Sequence, residues 1–230
     1  MISDALLAQF RLDVDDTERP YLWSDTEVYS YLDSGQKQFC RKVEGIGDAS
    51  STLTSLSVGV GTEWISISPL ILKFRDAYKI SDGRPIRIVN YEDLQREHIR
   101  FDGNQAPFRM MIIGMEPGRV RLHPIASVAD TIQLLVDRLP LKSITDDGQT
   151  LEIQDHHTDG MLYWMKYKAY AKQDAETMDK KASEDYKAKF EEYCAQAKIE
   201  KDRAKHKTRV VKMEGSFGRH TNRRDYFNGY

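Results

Sequence analysis

The sequence predicts an α+β fold: a helical bundle built from N- and C-terminal helices, a small antiparallel β region inserted between them, and an extended C-terminal arm. Three observations carry this reading. Apolar residues recur at helical spacing over residues 3–43 and again over 155–205, they alternate with polar ones from about 52 to 140, and periodicity vanishes from Lys207 to Tyr230. Helices far apart in sequence can share one core. The expected organisation is therefore residues 1–50 plus 150–206 as the bundle, 51–149 as the inserted β region and 207–230 as the arm.

The first helix is expected over residues 3–11, with Ser3 as N-cap and Leu6, Leu7 and Phe10 on one face. A stronger helix follows Pro20. Ser24 and Glu27 have the spacing of a capping box, and Val28, Tyr31, Leu32, Phe39 and Val43 form a core stripe until Gly45 and Gly47 stop it.

The period then falls to two. Leu53, Leu56 and Val58 lead into a Gly59-Val60-Gly61 turn, and Trp64, Ile65 and Ile67 read as the returning strand of a hairpin. Ser68-Pro69 begins a short turn before a strand over 73–80, and Asp82-Gly83 is a further turn. A strand over 86–89 precedes a brief helix capped by Asn90 and holding Leu94. Residues 108–113 and 119–122 flank Glu116-Pro117-Gly118 as a second hairpin, and 131–139 is another strand. Helical spacing resumes over 155–172, with Leu162, Met165 and Ala169 aligned. A long amphipathic helix from about Asp179 past Lys205 places Ala182, Tyr186, Phe190, Tyr193 and Ala197 inward, so its alternating Lys and Glu form a solvated face.

Composition excludes several classes of function. Hydrophobic residues make up 40% and charged residues 30% of the chain, which argues for a folded protein with a wet surface. The formal net charge of −2 gives no general attraction to nucleic acid or to an anionic membrane. The opening Met-Ile-Ser-Asp carries an acid where a secretory signal has basic residues, and no run approaches the roughly 18 apolar residues of a membrane span. A reducing cytoplasm as the place of synthesis, with Cys40 and Cys194 as buried free thiols, follows.

The search for catalytic or metal-binding motifs finds none, and no cofactor is expected. His156 and His157 are adjacent, so on a helix they point about 100° apart and do not form a ligand pair. His98, His123, His206 and His220 lack neighbours at ligand spacing. Gly59-Val60-Gly61 lacks the third glycine of a dinucleotide fingerprint and the Lys of a phosphate loop. Asp13, Asp15 and Asp16 lack the glycine and terminal Glu of a calcium loop and read as a solvated linker. Neither a Gly-x-Ser-x-Gly elbow nor a His-Glu-x-x-His helix is present. A hydrolase reading would need carboxylates that meet only in the fold.

The C-terminal segment is the unusual feature. Lys207, Arg209, Lys212, Arg219, Arg223 and Arg224 against Glu214 and Asp225 leave +4, with Phe217, Tyr226, Phe227 and Tyr230 interleaved. Such a segment is either a solubilising terminus or a docking arm that inserts aromatic anchors while Arg pairs with acids. The cost of leaving aromatics in water favours the arm. Arg with aromatics also suits phosphates and stacked bases, so a nucleic-acid-binding module is the alternative.

The whole pattern resembles the phage head-to-tail adaptor family. The resembling residues are Phe10-Arg11-Leu12-Asp13-Val14-Asp15-Asp16, then Tyr21-Leu22-Trp23-Ser24-Asp25-Thr26-Glu27-Val28, with Gln36, Phe39 and Cys40 behind them. Residues 69–77, Tyr163-Trp164-Met165, residues 167–177 and Ala188-Lys189-Phe190 continue it in order. The resemblance implies a virion protein of the head-to-tail neck, without catalytic residues, that assembles as a dodecameric ring. Its partners would be the portal, a tail (nozzle or tube) protein and further copies of itself, with genomic DNA passing through the channel and no membrane involved. Related adaptors carry a C-terminal portal-binding arm, which the aromatic-basic segment fits with Arg209, Lys212, Phe217, Arg219, Arg223, Arg224, Tyr226, Phe227 and Tyr230 as its candidate residues, though no family motif lies within 207–230.

Overall fold

The computed structural model describes residues 2–96, 103–173 and 177–206. Helices α1 (Ser3–Asp13) and α2 (Asp25–Lys42) open the chain, followed by strands β1 (Ile46–Asp48), β2 (Ser55–Val58), β3 (Trp64–Ser66), β4 (Ile71–Lys79) and β5 (Arg87–Asn90). The short helix α3 (Tyr91–Arg96) precedes β6 (Gln105–Ala106), β7 (Met110–Glu116), β8 (Arg119–His123), β9 (Ile125–Ala126) and β10 (Asp130–Arg138). Helices α4 (Thr158–Tyr170) and α5 (Lys180–His206) close the described chain. The fold is mixed α+β.

Local chemistry explains the helix ends. At the start of α2 the Ser24 hydroxyl accepts the Glu27 N–H at 3.3 Å and the Glu27 carboxylate accepts the Ser24 N–H at 3.0 Å, the expected capping box. Beyond its end, Gly45 has φ +74°, and a Cβ there would come within 2.9 Å of the Arg138 carbonyl, so only glycine fits both the turn and the approach. Helix α1 corrects one expectation. Ile2 holds the cap position, and Ser3, as the first helical residue, donates its hydroxyl to the Asp146 carbonyl at 3.2 Å. A long-range partner outcompeted the local cap.

The β segments form two four-stranded sheets and a two-stranded pair, which corrects the expectation of one small antiparallel sheet. Strand β10 is central to the first sheet, with β1 and β2 antiparallel along one side and β4 along the other. The second sheet runs β3-β8-β7-β5, with β5 parallel to β7, and β6 pairs in parallel with β9. The Gly59-Val60-Gly61 turn is not a hairpin, because β2 pairs with β10 while β3 pairs with β8. Alternation records which face of a strand is buried and says nothing of its neighbour. Here Val58, Ala77, Ile132, Leu134 and Val136 of the first sheet share a core with Ile65, Met111, Val120 and Leu122 of the second, and the turn carries the chain from one to the other. The Pro117-Gly118 hairpin between β7 and β8 forms as expected.

A separate core unites helices from both ends of the described chain. Leu6 and Phe10 of α1, Val28, Leu32 and Phe39 of α2, Met161, Met165 and Ala169 of α4, and Phe190 and Ala197 of α5 are buried together. Cys40 and Cys194 are buried free thiols in the same cluster. Leu139, Ile144, Leu151 and Ile153 join it from the connection after β10. Helices α2 and α4 meet closely at Gly35, where a Cβ would sit 2.9 Å from the Trp164 ring.

Phe39 and Phe190 both lie in this core. Replacing either by Ala is expected to lower stability by about 3–5 kcal/mol, read from the midpoint of urea unfolding. A loss below about 1 kcal/mol, as at a surface position, would contradict the shared core.

Candidate functional site

One buried arginine organises the segment between α1 and α2. Arg11 donates to Asp16 at 2.7 Å, to the Trp23 carbonyl at 3.0 Å and to Asp25 at 2.5 Å, with its guanidinium 3.6 Å from the Tyr21 ring centre. Asp16 also accepts the Leu22 N–H at 2.9 Å. The Trp23 indole donates to the Ala169 carbonyl of α4 at 3.2 Å and meets Phe10 and Tyr170 edge-on. Asp13 pairs with Lys166 at 2.7 Å. The expected solvated acidic linker is thus corrected: Asp16 is buried and ion-paired, Asp13 is paired, and Asp15 alone of the three is an exposed residue without such a pairing, at φ +56°.

A second buried arginine joins the first sheet to the helices. Arg138 pairs with Asp48 of β1 and donates to Glu152 at 2.6 Å and to the Leu139 carbonyl at 3.0 Å. Glu152 further accepts the amides of Leu141 and Lys142 at 2.6 and 3.1 Å, and its own N–H donates to the buried Gln36 of α2 at 2.8 Å. Burial opposes the charge on Asp48. Arg138 and the amides of Ser50 and Ser51, which all donate to it, outweigh that cost and hold its carboxyl well below the usual range. On the same sheet Arg75 clamps the buried Asp137.

Between these helices and β1 lies a cavity of about 510 Å³. Phe39, Val43, Ile46, Ile153 and Ala197 line it with apolar surface, and Glu152, Glu200 and Lys201 with charge. The Lys201 ammonium donates to the carbonyls of Val43 and Gly45 at 3.1 and 2.6 Å, which ties α5 to the end of α2. His156 and His157 sit on a one-turn 3-10 segment just before α4, and the His157 ring packs 4.5 Å from Phe39. Tyr193 donates its hydroxyl to the His156 carbonyl at 3.0 Å, so the 3.1 Å contact with His157 Nδ1 is a bond donated by the imidazole. Burial, with His156 and Lys201 nearby, pulls the His157 pKa down to about 4.

Burial pushes the thiols of Cys40, which lines the cavity, and Cys194 up to about 12, so neither is a thiolate nucleophile or ligand at neutral pH. Among the described residues no group of three or more His, Cys, Asp or Glu is placed to hold a metal ion. No helix among them is long and apolar enough to cross a membrane.

The family model for the SU10 adaptor protein matches residues 1–212. The chain belongs to the SU10 adaptor family. That family is one of phage head-to-tail adaptors, which makes this protein a structural adaptor of the phage neck and implies contact with portal and tail proteins. No curated protein sequence matches the chain.

Of the residues that carry the resemblance at the N-terminus, Phe10, Arg11, Asp13, Asp16, Trp23, Ser24 and Glu27 belong to the ion-paired and aromatic network or the helix cap, while Leu12, Asp15 and Leu22 are exposed. The arm residues Arg209, Lys212, Phe217, Arg219, Arg223, Arg224, Tyr226, Phe227 and Tyr230 lie outside the described residues, as do His98, His220 and residues 174–176. Sequence reasoning missed the cavity, whose walls come from three separate stretches of chain, within residues 39–47, 152–157 and 197–204. It also missed an apolar end of the first sheet. Val60, Ile80 and Val128 are 66%, 55% and 63% exposed there, on the turns flanking β2, β4 and β10.

Two outcomes follow for the adaptor. Arg138→Ala leaves Asp48 buried without its ion-pair partner and is expected to cost about 3–5 kcal/mol in urea unfolding. The lowered pKa of His157 means that the unfolded chain binds the extra proton between pH 6.5 and about 4. Stability is therefore expected to fall as pH drops through that window, and His157→Asn, which keeps a donor and does not titrate, should flatten this part of the profile.

Proposed function

We propose that the protein forms a ring of copies, a dodecamer, that joins the portal of a tailed phage to a nozzle or tube protein and continues the DNA channel. The observation that carries the reading is the SU10 adaptor match over residues 1–212. In this reading residues 1–50 and 150–206 are a helical bundle, 51–149 an inserted β region and 207–230 an arm that grips the portal. No catalytic step or cofactor is involved. The separation of the helical core from those of the β region supports the division, since the first draws on residues 6–43 and 139–197 and the others on residues 58–136.

A neck ring needs modest interfaces that become strong only when repeated by symmetry on a portal that presents its sites in a circle. The long helix α5 suits that need. Its outer side mixes exposed Lys187, Lys189, Glu191 and Glu192, with Ile199 as the large hydrophobic left exposed along it. The arm adds what such a surface lacks, aromatic anchors flanked by Arg. Its Phe217, Tyr226, Phe227 and Tyr230 lie beyond the matched residues, so the arm rests on chemistry and not on the family match. The +4 charge of the arm also favours a nucleic-acid contact, which salt-sensitive DNA affinity lost with residues 207–230 would reveal.

Deleting residues 207–230 is expected to leave the unfolding midpoint nearly unchanged and to abolish most attachment to the portal in a sedimentation assay. Phe227→Ala or Tyr230→Ala should each weaken attachment by about 2 kcal/mol, against a few tenths for Lys212→Ala. Unchanged attachment of the truncated protein would refute the arm.

A further inference from the structure

We propose that, before a portal is met, residues 207–230 seat aromatic side chains in the cavity beside α5 of their own chain. The wall of that cavity formed by α5 is Ala197, Glu200, Lys201 and Ala204, one face of its last turns, and the helix ends two residues later at His206. The arm therefore begins three residues beyond Ala204 of the cavity wall. From Ala197 to His206 the helix rises about 13 Å. The eleven residues from Lys207 to Phe217 span about 36 Å when extended, enough to leave the helix and return along it. Gly215 and Gly218 flank Phe217 and permit the reversal.

Size and charge favour the same occupant. A volume of about 510 Å³ admits a few side chains and excludes a helix or a folded partner. Its apolar walls include Phe39 and Ile153, which suit a ring, and Glu200 stands exposed at its side. The chain carries −2 and the arm +4, so residues 1–206 carry −6 and attract the arm. Tethering supplies a millimolar effective concentration, which favours the own arm over that of a second copy in dilute solution. The consequence, which rests on the arm reading above, is that the aromatics stay covered until a portal with better sites draws them out.

The test uses the full chain at high dilution, with p-benzoylphenylalanine in place of Phe217 or, separately, Phe227. Irradiation is expected to give cross-links within one chain to residues 39–47, 152–157 or 197–204, located by mass spectrometry. Ala204→Trp in the cavity wall, and independently Glu200→Arg, should remove most of that yield with the urea midpoint retained. Cross-links to other parts of the chain, between copies, or to nothing would overturn the seat, and so would a yield indifferent to both variants. Portal attachment is measured separately. An arm that binds the portal without these cross-links keeps its function and loses the seat, and the converse result loses the portal function alone.

Discussion

The buried guanidinium of Arg138 is the joint on which the architecture depends. It stands at the end of β10, the strand that holds β1, β2 and β4 in one sheet, and at the start of the connection whose Leu139, Ile144, Leu151 and Ile153 enter the helical core. Apolar burial builds each core but is non-directional and does not fix one core relative to the other. A guanidinium taken out of water demands partners in fixed places, and Asp48, Glu152 and the Leu139 carbonyl supply them from three parts of the chain. Glu152 passes the constraint to Gln36 on α2 through its backbone N–H. Sliding the sheet on the helices would strand charges in the interior.

Arg11 repeats the device at the other end of the helical core. It gathers Asp16, Asp25 and the Trp23 carbonyl, and Trp23 then bonds to the last turn of α4. These are among the residues that make the chain recognisable as an SU10 adaptor. In this chain these residues brace the helical core from the segment between α1 and α2.

The distribution of charge fits the same work. Residues 1–206 carry −6 and give no general attraction to nucleic acid, while residues 207–230 carry +4. The cavity beside α5 joins these ideas, being close to the origin of the arm, apolar in part, and free of a thiolate or a metal cluster among the described residues.

Sequence alone determined the helices and their inward faces, because 3.6-residue periodicity and the Ser24–Glu27 box are local properties: Phe10, Leu32, Phe39, Met165 and Phe190 were legible as core. The capped entry of α3 after Asn90 and the hairpin at Gly118 were legible for the same reason. Strand partnership was not. Val58 and Ile65 read as two sides of a hairpin, yet each pairs in a different sheet, since alternation specifies a buried face and leaves the neighbour to the packing of distant strands. Asp16 read as solvated until Arg11 was brought against it, and Ser3 as a cap until Asp146 arrived 143 residues later. The cavity, the buried arginines and the tautomer of His157 exist only where separate segments converge, and that convergence is decided by burial in the tertiary cores and not by any local run of residues.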